Sequence, residues 1–238
     1  MSVPVGQIRE IYRYPVKSFA GESLEACLIE KYGLYGDRFC AFVDEAREGW
    51  DSYITARDIP RMLAYRAQLT EEGVCVMSPS GHTFIWNEEL LEEMQRFSRK
   101  KMSMTSYRAQ NPENPDLMSV DAASIHIVTD SSLRKLEALW GRSLDHRRFR
   151  ANLVVSIDDA TMDESDWIGK ELSLGGAVLQ IQSFCERCSV ITINPDTLER
   201  DVSLLKRVYE EMDVSFGLYA GVKQPGPIQV GQKVYLSV

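Results

Sequence analysis

The segment Asn111-Pro112-Glu113-Asn114-Pro115-Asp116 packs two prolines and two asparagines into six residues. Proline withholds a backbone donor and restricts the residue before it, so regular structure is not expected to run through such a stretch. It divides the chain of 238 residues into two parts, with domains expected over 1–115 and 116–238. The length sits between one large domain and two small ones.

The first part reads as β-structure. Ile8–Tyr14 is rich in β-branched and aromatic residues, and Pro15 limits its continuation. Ser23–Ile29 and Arg38–Val43 are further strand candidates, followed by Leu63–Leu69, Val74–Met77 and His82–Trp86. The separators Glu71-Glu72-Gly73 and Pro79-Ser80-Gly81 are turn chemistry, which predicts an antiparallel meander. Asn87 is placed to cap a short helix carrying Leu90, Leu91 and Met94. A small barrel or curled sheet accommodates this pattern better than a βαβ unit.

The second part mixes strands and helices. Ile125–Val128 and Leu153-Val154-Val155 are apolar strand cores, and Leu179-Gln180-Ile181-Gln182 alternates as a half-buried strand does. One helix is expected from a cap at Asp130, burying Leu133, Leu136 and Leu139 or Trp140, and ending at Gly141. Another, over 202–212, has Val202, Leu205, Tyr209 and Met212 as its expected stripe. Phe216–Val222 and Lys233–Val238 close the chain as strands. The predicted class is α+β and β-rich: an N-terminal small β-barrel domain, then a second barrel with peripheral helices.

Charge narrows the partners. Lys plus Arg total 27 and Asp plus Glu 35, a net charge of −8, which disfavours nucleic acid as a ligand. Within the run His146-Arg147-Arg148-Phe149-Arg150, the cations read better as a pocket for one small anion than as a duplex-binding face. No apolar run reaches the roughly 20 residues that span a bilayer. Met1-Ser2-Val3-Pro4-Val5 lacks the features of a secretory signal. A cytoplasmic location with no membrane contact is expected, and an acidic chain without a coiled-coil stripe is compatible with a monomer. Five scattered cysteines argue for reduced thiols.

Cys185-Glu186-Arg187-Cys188 is the most reactive-looking motif. A structural zinc site needs a second pair, and Cys27, Cys40 and Cys75 are isolated. A dithiol redox couple lacks a thioredoxin-like context. A single thiolate ligand to a soft metal, with Arg187 favouring its ionised form, remains open beside the bland reading of two buried inert thiols. His82, His126 and His146 share no ligand spacing, and His126 reads as a structural residue in a strand. Neither a Walker or Rossmann glycine loop nor a Gly-x-Ser-x-Gly elbow occurs. Taken singly, Lys17, Ser18, Arg38 and Arg57 read as surface polar or ion-paired groups, with Asp37 and Asp58 as neighbours of the two arginines.

Taken in order, a set of short motifs resembles the MOSC family, related to the C-terminal domain of molybdenum cofactor sulfurase. They begin with Tyr14-Pro15-Val16-Lys17-Ser18, Gly36-Asp37-Arg38-Phe39 and Thr55-Ala56-Arg57, and continue with Phe149-Arg150-Ala151-Asn152 and the paired cysteines. Asn194-Pro195-Asp196-Thr197, Phe216-Gly217-Leu218-Tyr219 and Pro225-Gly226-Pro227-Ile228-Gln229-Val230-Gly231 complete the series. The layout is similar to the catalytic part of mitochondrial amidoxime-reducing components and their bacterial relatives: an N-terminal MOSC-associated barrel, then the MOSC β-barrel. Two positions depart from the family pattern: Ala151 stands where proline is frequent and Leu198 where glycine is.

The resemblance implies a molybdenum–molybdopterin cofactor whose metal takes Cys188 as a further sulfur ligand and catalytic thiolate, with Cys185 as a neighbour. It implies that Lys17, Ser18, Arg38, Thr129, Arg150, Asn152, Arg187 and Tyr219 line the cofactor pocket. Dithiolene and thiolate sulfur suit molybdenum, and arginine and lysine suit the pterin's phosphate. The implied activity is two-electron reduction of N-hydroxylated or N-oxide-type small molecules. Some relatives carry a further ferredoxin-like domain; with no spare cysteine set here, electrons are expected from a separate flavin, haem or iron–sulfur protein. The alternatives are a cofactor or persulfide carrier without turnover and an interaction protein that has lost the cofactor.

Overall fold

The computed structural model describes residues 1–105, 114, 116–120, 122–158 and 164–237. The first part contains β1 (Ser2–Arg13), β2 (Glu22–Leu24), β3 (Ala26–Glu30), β4 (Gly33–Leu34), β5 (Phe42–Asp44) and β6 (Tyr53–Ile54). It continues with β7 (Arg66–Thr70), β8 (Gly73–Met77), β9 (Thr83–Ile85), α1 (Glu88–Gln95) and β10 (Met102–Met104). The second part contains β11 (Ile125–Thr129), α2 (Asp130–Trp140), β12 (Leu153–Ile157), β13 (Glu171–Leu174) and β14 (Ala177–Glu186). Then come α3 (Val202–Met212), β15 (Ser215–Gln224), β16 (Gly226–Gln229) and β17 (Lys233–Ser237). The expected α+β, β-rich class is what the chain adopts. Of the boundary segment, residues 111–113 and 115 lie outside the described residues, as does Val238.

Seven strands close into a barrel in the order β12-β11-β15-β14-β13-β17-β1, with β1 pairing back to β12 and β2 attached to β1. The twelve-residue β1 comes from the first part of the sequence. Its early residues pair with β17, while Gly6 to Ile11 pair with β12. Val5, Ile8 and Ile11 point into the barrel beside Ile125, Leu153, Leu179 and Leu218, all of them buried. Each such side chain contributes about 1.5–3 kcal/mol by leaving water, which is why β1 follows the barrel rather than the sequence boundary. β16 likewise returns from the second part to pair with β3. Two chain crossings therefore join the parts.

A second core is built mostly from the first part, with Met118 joining it from beyond the boundary. Phe19, Phe42, Ile54, Met62, Tyr65, Val76, Leu90 and Met94 fill it under the β7-β8-β9 meander, the β10-β5-β6 sheet and α1. The Asn87 side chain caps α1 through the Leu90 amide, as its position predicted. A third cluster, with Leu136, Phe149, Leu204, Val208 and Phe216, packs α2 and α3 outside the barrel.

Two helix expectations change. The cap of α2 is Thr129, whose Oγ1 accepts from Ser132 N at 3.1 Å. Asp130 lies inside the first turn, accepting from Ile157 N at 3.0 Å and pairing with Arg134. On α3, Val202 and Tyr209 are 71% and 68% exposed, and Leu204 and Val208 are the buried pair. Residues seven apart share a face, but here the inward arc is centred one position away, toward Leu204, Leu205, Val208 and Met212. No helix among the described residues is long and apolar enough to cross a membrane.

Candidate functional site

The site forms where β14 leaves its regular alternation. Ala177, Leu179 and Ile181 point inward in turn, then the pairing with β15 slips between Ile181 and Ser183 and again between Phe184 and Glu186. Such bulges re-aim side chains. They bury Cys185, leave Arg187 half-buried, and set Cys188 exposed at the start of the turn Ser189–Thr192.

Cys188 opens onto a cleft between the barrel and the first-part core, partly open to solvent. Lys17, Ser18, Arg38 and the Thr55-Ala56-Arg57 segment form one wall. His126, Asn152, Cys185, Arg187 and Tyr219 form the other, with Arg150 and Phe149 at the junction. Five cationic side chains (Lys17, Arg38, Arg57, Arg150, Arg187) line the cleft against one carboxylate, Glu186. In a chain of net charge −8 this is a local concentration of positive charge, the electrostatics that attracts small anions.

The first wall is built from turns. Ser18, Arg38 and Arg150 hold left-handed backbones, with φ of 69°, 49° and 55°. Non-glycine residues in that region cost on the order of 1–3 kcal/mol, a strain that persists where the surroundings fix it and that gathers at functional sites. The surroundings here are specific. Arg38 Nη1 donates to Asp37 Oδ2 at 2.5 Å, and Asp37 Oδ1 also accepts from Tyr14 N. The Arg38 and Arg150 guanidiniums lie 4.4 and 4.3 Å from the centre of the Tyr14 ring. Burial pushes the Tyr14 phenol up, and Arg150 and Arg38 offset this only in part. Lys17 is 5% exposed; its Nζ donates to Ser119 O at 2.9 Å and sits over the Trp50 and Tyr53 rings.

The barrel wall is built from strands and is cross-linked by polar side chains. Asn152 Oδ1 accepts from His126 N at 3.1 Å, and Asn152 Nδ2 donates to Tyr12 O at 3.2 Å. Arg187 Nη1 donates to Cys185 Sγ at 2.7 Å and lies 3.4 Å from His126 Nε2, while its Nη2 donates to Phe149 O at 2.9 Å. Burial, then the Arg187 charge, holds His126 well below its usual pKa, which favours the neutral imidazole beside the guanidinium. Gly217, at φ +79°, makes this approach possible: a Cβ there would stand 2.5 Å from His126 Nε2.

Of the expected pocket residues, Lys17, Ser18, Arg38, Arg150, Asn152, Arg187, Tyr219 and Cys188 come together in this cleft. Thr129 does not. It is fully buried as the cap of α2, bonded to Ser132 and Glu164, beside a different surface cleft. A hydroxyl committed to a helix end and a carboxylate has nothing left for a cleft across the barrel. Arg187 lies in the cleft wall, yet its terminal nitrogens are tied inward, toward Cys185 rather than Cys188. His126, Cys185, Glu186 and Thr55 to Arg57 line the cleft without having been singled out as pocket residues. For His126 the signal was present: a lone histidine in an otherwise apolar strand. Burial raises the Cys27 and Cys40 thiols to about 11 and about 12. Among the described residues no group of three His, Cys, Asp or Glu side chains could hold a metal unaided.

Comparison with known proteins agrees with this architecture. The profile of the MOSC N-terminal beta barrel domain matches residues 5–124, and that of the MOSC domain matches residues 114–235. Mitochondrial amidoxime reducing component 2 of Rattus norvegicus is 24% identical over 98% of this chain and 84% of its own. Component 1 of Mus musculus is 25% identical over 98% and 82%. Molybdenum cofactor sulfurase of Drosophila yakuba is 30% identical over 50% of this chain and 15% of its own length. The crystal structure of the YuaD protein from Bacillus subtilis superposes with a TM-score of 0.52 at 14% identity, covering 99% of this chain and 97% of that one; this likeness is one of fold. With both profiles in sequence order and the barrel closed by β1, the chain belongs to the MOSC family.

Proposed function

We propose that the cleft holds a molybdopterin-type molybdenum cofactor with Cys188 as the protein's sulfur ligand, and that the loaded protein reduces N-hydroxylated or N-oxide-type small molecules. The observation that carries this reading is one exposed thiol at a cleft lined by five cations in an acidic chain. A metal here must bring most of its ligands with it, since no cluster of protein ligands is at hand among the described residues. A dithiolene-bearing pterin does so, and its phosphate needs the charge-assisted donors that Lys17, Arg38, Arg57 and Arg150 supply. Arg187 Nε adds a buried donor with no partner among the described residues. The donor set fits the group.

Bound there, the cofactor would supply a centre that takes oxygen from an N–O bond, which leaves as water with two electrons and two protons consumed. The chain's own work is orientation. The strained turns beside Lys17 and at Arg38 present charge from one side, with Arg150 at the junction. The barrel wall presents Cys188 from the other. The electrons come from a separate flavin, haem or iron–sulfur protein, in keeping with relatives named as reducing components.

The test is metal analysis and pterin fluorescence on protein from a cofactor-competent host, followed by reduction of an N-hydroxylated amidine with an artificial electron donor. Near-stoichiometric molybdenum and pterin with turnover is the expected result. Full cofactor without turnover would make the chain a carrier, and absence of pterin would sink the cofactor reading.

A further inference from the structure

Arg187 is unusual among the cleft cations because the barrel wall holds both its backbone and its terminal guanidinium nitrogens. Its backbone N donates to Val214 O at 2.8 Å. Val214 and Asp213 both hold left-handed backbones, φ 62° and 47°, at the end of α3. For β-branched Val214 that geometry is strained, so the turn that delivers its carbonyl is itself held against a cost. Its guanidinium meets Cys185, His126 and Phe149 at once. Cys185 is 2% exposed, and its Sγ both accepts from Arg187 and donates weakly to Glu186 O at 3.5 Å. All these contacts converge on the residue immediately before Cys188.

We infer that Cys185 is a positioning residue: its sulfur anchors the Arg187 side chain inside the barrel wall, and the clamped Arg187 fixes where Cys188 is presented to the cleft. The inference rests on Cys188 being the reactive thiol of the proposed function. Three arguments support it. The clamp from Cys185 to Arg187 lies at the last irregularity of the β14 ladder, between Phe184 and Glu186, where strand pairing no longer fixes the chain. A guanidinium fork held at three points orders its own backbone more tightly than a flexible ammonium would. The Arg187 charge, directed at Cys185, is kept from swinging onto Cys188, so the two sulfurs of one motif have divided roles. One is a buried anchor and the other an exposed ligand.

The experiment compares Cys185→Ser, which keeps a donor and an acceptor, with Cys185→Ala, which keeps neither. Two readouts are followed. On cofactor-free protein, the rate at which iodoacetamide alkylates Cys188 at fixed pH is measured by peptide mass spectrometry. On loaded protein, molybdenum retention and the Mo(V) electron paramagnetic resonance signal are recorded. Cys185→Ala should alkylate at a clearly altered rate, lose molybdenum on dialysis about tenfold or more faster, and give a heterogeneous signal. Cys185→Ser should restore wild-type behaviour in each. Wild-type rate and signal in Cys185→Ala would overturn the inference, as would a serine variant no better than alanine, which would reduce Cys185 to filler. If Cys185→Ala does not fold, Arg187→Lys replaces it, since lysine keeps the charge without the fork; an unchanged Cys188 in that variant again overturns the clamp. Should Cys188→Ala retain its molybdenum, the ligand assignment fails separately, and the alkylation rates still decide the clamp.

Discussion

The two walls of the cleft are made differently. The barrel wall is strand-borne, and most of its polar groups are spent on one another: Asn152 stitches His126 to Tyr12, and Arg187 ties Cys185, His126 and Phe149. The opposite wall is turn-borne and offers the charges of Lys17, beside the strained Ser18, and of Arg38, itself on a strained backbone steadied by Asp37 and the Tyr14 ring. One wall supplies geometry and the other supplies electrostatic hold. Under the proposed function, in a protein whose net charge repels anions, binding would depend on local concentration of cations, and reactivity on a single sulfur set by the rigid side.

That contrast can be broken most completely at Cys188. Cys188→Ala should leave the fold intact and abolish molybdenum binding, with pterin retained better than metal; elemental analysis against pterin fluorescence reads the split. Equal retention of metal would mean that the rigid wall does not supply the ligand. Next in size, Gly217→Ala forces a Cβ toward His126 Nε2 and the Ile127 carbonyl at positive φ. It should cost about 2–4 kcal/mol in urea unfolding, and a neutral result would show that the barrel wall is more pliable than its packing implies.

Arg150→Ala tests the charged side. Loss of one charge-assisted anchor, about 1.5–3 kcal/mol, should weaken cofactor retention roughly ten- to a hundredfold by dialysis, with little change in the unfolding midpoint. A large midpoint shift with full retention would reverse the roles assigned to the two walls.

His126 gives a pH signature of the rigid wall. Its folded pKa lies well below the usual 6.5, so the unfolded chain binds the extra proton first as pH falls. Stability from this group is therefore intact above about pH 6.5 and declines by up to about 1.4 kcal/mol per pH unit below it, until the folded pKa is reached. Chemical denaturation between pH 7.5 and 5 should show the decline in the wild type and a shallower one in His126→Gln; parallel slopes would remove His126 as the cause. The smallest effect is expected at Thr129→Ala, which removes the α2 cap and should cost about 1 kcal/mol while leaving cofactor retention unchanged. A loss of cofactor there would return Thr129 to the pocket.

Much of this was readable from the chain in order. Hydrophobic alternation located most strands and the three α-helices found among the described residues, because burying one face is a local constraint with a fixed period. The lining of the cleft was legible through the family resemblance: Lys17, Arg38, Arg150 and Cys188 each stand in a short motif that it assigned to the pocket, although taken singly Lys17 and Arg38 read as surface or ion-paired groups. Tertiary packing decided the rest. The sequence does not say that β1 closes the barrel of the second part, since strand partners are chosen by inward surfaces far apart in the chain. Nor does it say that two slips in the β14 ladder turn Cys185 inward and Cys188 outward, because a bulge depends on the partner strand as much as on its own residues. Thr129 shows the same limit in reverse. Its residue type suits a ligand pocket and a helix cap equally, and only its place at the start of α2 made it a cap.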